Sequence, residues 1–96
     1  MIQKTVYKTK EYSKVKFLVD FVEAETIEVL GLQGDWEKGI ILQKKKDGSF
    51  SGEINLPKNS RHEFRYRLNN SEWVNDPQGD GEVMNVFGTT NSLIEL

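Results

Sequence analysis

Two indoles and one guanidinium carry most of the binding chemistry legible in this chain. Trp73 stands directly after the polar run Asn69-Asn70-Ser71, with few apolar neighbours to bury it. Arg65 precedes that run, on the polar side of a segment in which Phe64, Tyr66 and Leu68 alternate with Arg65, Arg67 and Asn69. Trp36 follows Gly34-Asp35 in a separate glycine-containing stretch. An exposed indole offers a broad apolar face and a polar N–H at low entropic cost, while Arg and Asn side chains add hydrogen bonds. Such a set suits ring stacking on a ligand whose edges are polar. Each residue also has a purely structural reading. As a rim aromatic, Trp73 would close the fold, because Trp is rarely fully buried. Arg65 would pair across strands with Glu53 or Glu63.

Other chemistries find little support. His62 is the one histidine and there is no cysteine, so His62 reads as a surface residue rather than a general base or metal ligand. Without cysteine, disulfide and thiol chemistry are excluded. Asp76, Asp80 and Glu82 suggest a calcium site on paper, but Asp76 is better explained by the turn at Asn75-Asp76-Pro77. No cofactor and no metal are expected. Lys44, Lys45 and Lys46 read as a solvated turn before Asp47-Gly48 rather than as a nucleic-acid patch. A net charge of −2 gives no general attraction to nucleic acid or anionic membrane. A catalytic TIM-type barrel needs about 250 residues, so a chain of 96 residues excludes one. Glycoside hydrolysis needs two carboxylates across a cleft, roughly 5–10 Å apart, and no acidic pair marks such a cleft. The chain is therefore expected not to be an enzyme.

The elements that must position these residues read as strands. Segment 14–21 alternates cleanly, with Val15, Phe17, Val19 and Phe21 on one face. Segment 26–32 places Ile27 and Val29 in phase, and Gly31 and Gly34 then predict a bulge or bend. An apolar run, Ile40-Ile41-Leu42, precedes the lysines. In segment 50–56, Phe50, Ile54 and Leu56 share a face. The segment 63–77 is two strands around a tight polar turn, stopped by Pro77, which cannot donate to a ladder. A flexible loop at 79–81, an extended piece at 83–87 and a last strand at 92–96 complete the chain. Turn signals every 8–12 residues or so, with no convincing helix, predict an antiparallel β-sandwich of about seven to eight strands.

Ninety-six residues form one domain, 1–96, with 1–13 as an N-terminal arm or edge strand. The start lacks the apolar run of a signal peptide, and no stretch approaches the roughly 20 apolar residues of a membrane span. A cytoplasmic monomer is the expectation.

A family resemblance lies in the order of short motifs. Gly34-Asp35-Trp36-Glu37, Gly39-Ile40, Leu42, Asp47-Gly48-Ser49-Phe50-Ser51-Gly52, Leu56-Pro57, Glu63-Phe64-Arg65-Tyr66 and Glu72-Trp73-Val74-Asn75-Asp76-Pro77 together resemble starch-binding modules. The first half is similar to family 20 carbohydrate-binding modules. The ending, Phe87-Gly88-Thr89-Thr90-Asn91-Ser92-Leu93-Ile94, is similar to family 48 modules. Those include the glycogen-binding domain of AMP-activated kinase β subunits and the early-set domains of isoamylase and branching enzymes. The resemblance spans residues 15–96 and is most specific at 73–77.

The resemblance implies an immunoglobulin-like sandwich that binds α-1,4-glucan without catalysis. It implies Trp36 and Trp73 as the sugar platform and Arg65 as a donor to sugar hydroxyls. Phe87 would press on the glucan helix, or else pack in the core, and Thr89 and Asn91 would offer hydroxyl and amide contacts. Two departures stand out. The usual family 48 loop is Gly-Asp-Phe-Asn-x-Trp, so Trp36 falls either on the platform or on a buried aromatic position. The family's basic residue is usually Lys, and Arg65 has a planar donor geometry instead. The second expectation is a protein-interaction domain of the same fold, docking onto a glucan-metabolising enzyme or another partner. Exposed Trp36 and Trp73 on one surface would favour the sugar; a buried Trp36 with an apolar sheet face elsewhere would favour docking.

Overall fold

The computed structural model describes residues Met1–Leu96. Ten strands follow in order: β1 (Ile2–Val6), β2 (Tyr12–Val19), β3 (Ile27–Leu30), β4 (Ile40–Ile41), β5 (Gln43–Lys44), β6 (Phe50–Pro57), β7 (Arg61–Leu68), β8 (Glu72–Val74), β9 (Gly81–Met84) and β10 (Thr90–Glu95). They form an antiparallel β-sandwich. One sheet runs β1-β2-β6-β5, and the other runs β4-β3-β7-β10-β9. Strand β8 pairs with the far half of β7, Tyr66–Leu68, and so continues along the edge whose near half is occupied by β10.

The count exceeds the expected seven or eight because the N-terminal arm forms a strand of its own and residues 40–44 divide into two short strands. Ile40–Ile41 pairs with β3 in one sheet, and Gln43–Lys44 pairs with β6 in the other. Leu42 sits at the crossing, its side chain buried and its N–H donated to the Ile27 carbonyl at 2.9 Å. The N-terminal segment contributes an edge strand, β1, but β2 already begins at Tyr12, inside the expected arm. Phe21 does not extend the apolar face of β2. The strand ends at Val19, and Phe21 is 40% exposed, its ring 6.2 Å from that of Tyr66.

Side-chain alternation builds the core. Strand β2 alternates half-buried and buried positions along its whole length, and Val15, Phe17 and Val19 turn inward. They meet Ile27 and Val29 of β3, Phe64, Tyr66 and Leu68 of β7, and Ile94 of β10. Phe17, Phe64 and Tyr66 form an aromatic triangle between the sheets, with centroid separations of 5.5, 6.3 and 5.6 Å and edge-to-face geometry throughout. The Tyr66 hydroxyl crosses the core to donate to Asp76 Oδ2 at 2.5 Å. Burial, then this carboxylate, holds the phenol far above its usual range.

Phe17 is fully buried at the centre of the triangle. Phe17→Ala is expected to cost about 3–5 kcal/mol by removing a large ring from a packed interior. A chemical-denaturation curve whose midpoint stays at the wild-type value would contradict that placement.

Candidate functional site

The outward face of the larger sheet holds an open depression of about 760 Å³. Trp36, Arg65, Trp73, Phe87 and Asn91 all line it, together with Gly31, Gln33, Glu63 and Asn85. Five of the six residues marked in the sequence thus come from four different parts of the chain to one surface. Thr89 does not line it; its hydroxyl is bonded to the Asn85 amide, at 2.8 Å from Nδ2 and 3.1 Å from Oδ1.

Trp73 is placed by the β7–β8 hairpin. Asn69 and Asn70 take left-handed backbone conformations, φ 51° and 61°, and the Ser71 N–H donates to the Leu68 carbonyl at 3.0 Å. Asn side chains tolerate this region, and two such residues in succession match the twist of a hairpin. The Asn69 side-chain oxygen also accepts from the Glu25 and Thr26 N–H groups, which binds the turn to the connection before β3. The hairpin register sets Trp73 opposite Arg67. The indole then lies between two guanidinium groups, 5.9 Å from Arg65 and 5.6 Å from Arg67.

Trp36 reaches the same face from the loop between β3 and β4. Gly31, Gln33 and Gly34 all have positive φ, and the loop closes through the Gly31 N–H onto the Asp35 carbonyl at 2.8 Å. Asp35 Oδ1 then accepts from the Glu37 and Lys38 N–H groups, both at 3.0 Å. These backbone donors, Lys38 first, hold its carboxyl below the usual carboxylate range. Gly31 is required by contact as well as by φ. A Cβ there would lie 2.7 Å from the Trp36 ring and 2.6 Å from the Glu63 carbonyl oxygen. The indole rests on bare backbone, outside the core, so Trp36 is exposed rather than a buried aromatic.

The two indoles are 39% and 38% exposed, 6.4 Å apart between ring centroids and inclined by 53°. They make an angled cradle rather than one flat platform. Arg65 lies on its floor. It pairs with neither Glu53, which faces Lys14 at 3.7 Å, nor Glu63. Asn91 is buried: its amide donates to Glu63 Oε1 at 3.2 Å and its oxygen accepts from Asn85 at 3.2 Å. Phe87 is 88% exposed and stands clear of the core. Asn85 organises the turn that carries it, accepting from the N–H groups of Phe87 and Thr89. The local cue was present in the sequence, because Asn two residues before a Phe-Gly pair is a turn former.

His62 corrects the surface reading. It is 8% exposed, in phase with Phe64 and Tyr66 on the inward side of β7. Its Nδ1 accepts from the Gln33 N–H at 3.2 Å, so the ring proton sits on Nε2, which donates to Ser60 Oγ at 2.8 Å. The Ser60 hydroxyl passes the chain on to the Pro57 carbonyl. Gln33 is the non-glycine residue of the loop at φ 56°, and the imidazole holds its N–H there. Burial pushes the His62 pKa below its ordinary value. Asp76, Asp80 and Glu82 do not gather into one cluster. Asp76 serves Tyr66, while Asp80 meets the Lys4 ammonium at 2.5 Å and the Glu95 N–H at 2.8 Å. No group of three or more metal-ligating side chains converges anywhere.

Two outcomes are expected from this geometry. Gly31→Ala should displace the Trp36 indole and cost about 1–3 kcal/mol of backbone strain, read as a changed Trp36 resonance and a lower unfolding midpoint. For His62, the unfolded chain takes up a proton near pH 6.5 and the folded chain only at lower pH. Stability is therefore complete above that value and declines as pH falls toward the depressed folded pKa. His62→Gln keeps an acceptor and a donor without titrating, so it should flatten this part of the curve. An unchanged slope in that variant would assign the acid sensitivity to other groups.

No protein-family model matches this chain, and no curated protein matches it.

Proposed function

We propose that this domain binds α-1,4-glucan without catalysing any reaction on it. The observation that carries the reading is the convergence of both tryptophans of the chain on one open face, over an arginine that has no partner in the protein. A glucan ring presents apolar C–H faces and a rim of hydroxyls. Indoles inclined at 53° meet successive rings of a curved chain, and Arg65 and Glu63 reach the hydroxyl edge from below. The resemblance of the Trp-Val-Asn-Asp-Pro and Phe-Gly-Thr-Thr-Asn segments to starch-binding modules points the same way. Of the two readings weighed from the sequence, an exposed Trp36 beside an exposed Trp73 favours the sugar over a docking protein. No catalytic role is assigned to the carboxylates of this face. Glu63 is held by Asn91, and Asp35 is spent on its own loop.

An open surface with two rings leaves much of a sugar in water, so affinity should be modest. Maltoheptaose is expected to bind with a dissociation constant on the order of 10 μM to 1 mM, about 4–7 kcal/mol. In a nuclear magnetic resonance titration the side-chain signals of Trp36, Arg65 and Trp73 should shift. Trp73→Ala should weaken binding at least about tenfold, the loss of one stacked ring, while the circular-dichroism spectrum stays that of a β protein. Silence of those resonances at millimolar maltoheptaose would end the glucan reading and leave the docking domain in its place.

A further inference from the structure

We propose that the ligand of this depression carries an oxyanion, a phosphate ester or a carboxylate on a saccharide, and that Arg65 is its anchor. The proposal rests on the saccharide reading above and adds a charge to it.

Arg65 is a half-buried cation without a counterion. Four ion pairs occur in the protein, and none includes it. Its Nε is wholly buried and has no hydrogen-bond partner, which is equally true of the Arg67 Nε, so the two residues differ in their counterion alone. Arg67, two residues on along the same face, makes the contrast. Its guanidinium stacks against the same indole but is compensated by Glu28 at 2.9 Å. Two cations thus flank the Trp73 ring, and only one is neutralised within the fold. Taking a charge part of the way out of water is unfavourable unless it is paired, and a second like charge nearby adds to the cost. An oxyanion from outside the chain would supply the counterion that Arg65 lacks, and a planar fork of donors matches the two oxygens of a carboxylate or phosphate.

The hydrogen-bonding balance of the depression agrees. The terminal nitrogens of Arg65 and both indole N–H groups meet no acceptor within the protein, whereas the Asn85 and Asn91 amides are already engaged with each other and with their neighbours. Glu63 is the one carboxylate lining the depression, and Asn91 holds one of its oxygens on the β10 side. Free donors therefore outnumber free acceptors. A sugar hydroxyl both donates and accepts, but an oxyanion only accepts. Repulsion from Glu63 places the anion toward Trp73, and leaves the second Glu63 oxygen for a hydroxyl of the neighbouring sugar.

The test compares maltoheptaose with maltooligosaccharides of similar length bearing either one phosphate ester or one terminal glucuronate, and with inorganic phosphate alone. Binding is read by the Arg65 Nε–H and Trp indole resonances. At low salt at least one anionic sugar should bind about tenfold or more tightly than the neutral one. Which of the two does so identifies the oxyanion. The advantage should shrink in 0.5 M salt, because screening weakens a pair at the surface. Arg65→Gln should erase the difference between anionic and neutral sugars while also weakening neutral binding, because Arg65 meets the hydroxyl edge, and Arg65→Lys should keep part of the anionic preference. Equal affinity for neutral and anionic sugars overturns the oxyanion proposal and leaves the glucan reading standing. Phosphate at Arg65 with no sugar binding at all upholds the anion site and ends the saccharide reading. Silence from every probe ends both.

Discussion

A single buried hydrogen bond, from the Tyr66 hydroxyl to the Asp76 carboxylate, ties the interior of this sandwich to its binding face. Tyr66 belongs to the aromatic triangle at the centre of the core, and Asp76 lies two residues beyond the short strand that bears Trp73. A carboxylate that is 3% exposed needs partners, and it has them. Its second oxygen accepts from the Gln78 N–H, and its own N–H donates to Ser92 Oγ, which in turn donates to Asn75. Asn75 reaches the Thr90 carbonyl. Strand β8 has three residues and could not hold an indole in place through its own ladder. It is fixed because the residues after it are pinned to β7 and β10 from inside. The polar network is confined to one corner of the core, where it specifies the path of the chain rather than adding apolar area.

The rest of the face is built from turns. Each contributing loop has left-handed residues at its bend: Gly31, Gln33 and Gly34 before Trp36, Asn69 and Asn70 before Trp73, and Gly88 after Phe87. The sheet supplies Arg65, Glu63 and Asn91 from neighbouring strands, and the loops bring aromatic rings over them. Rigid strands below and turn-held rings above give a surface that is largely formed before any ligand arrives. That lowers the ordering cost of binding.

Much of this was readable beforehand, for reasons that differ from place to place. Alternation exposed β2 and β7 because each has one face in the core and one in water. It also placed Trp73 outside, since a ring next to two asparagines has little to pack against. The same rule misled at Phe21, where the strand ended two residues sooner than the pattern did. It was under-used at His62, which follows the phase of Phe64, Tyr66 and Leu68 to the inward side. The crossing at Leu42 could not be seen, because a run of three apolar residues does not reveal that the chain pairs with one sheet before Leu42 and with the other after it. Leu30 was opaque for another reason. It is buried on the outward face, where Gly39 packs against it. Long-range cover of that kind leaves no periodic trace. Nor does the partnerless state of Arg65, which depends on where Glu63 turns.

The pairing of Trp36 with Trp73 has an optical consequence. The chain has two tryptophans, and both stand on one patch with their rings 6.4 Å apart. Emission excited in the indole band is therefore a local measurement of that patch, and energy passes between the two rings too readily for either to be observed alone. Heating or denaturant followed by this signal would register loosening of the 31–36 loop or the β7–β8 hairpin. The packing around Phe17, which has no indole beside it, would be registered only through the cooperativity of the whole fold. A faithful thermometer for the core is the tyrosine at its centre, Tyr66, seen in the near-ultraviolet dichroism of a variant from which the indoles and the paired Tyr7 and Tyr12 have been removed.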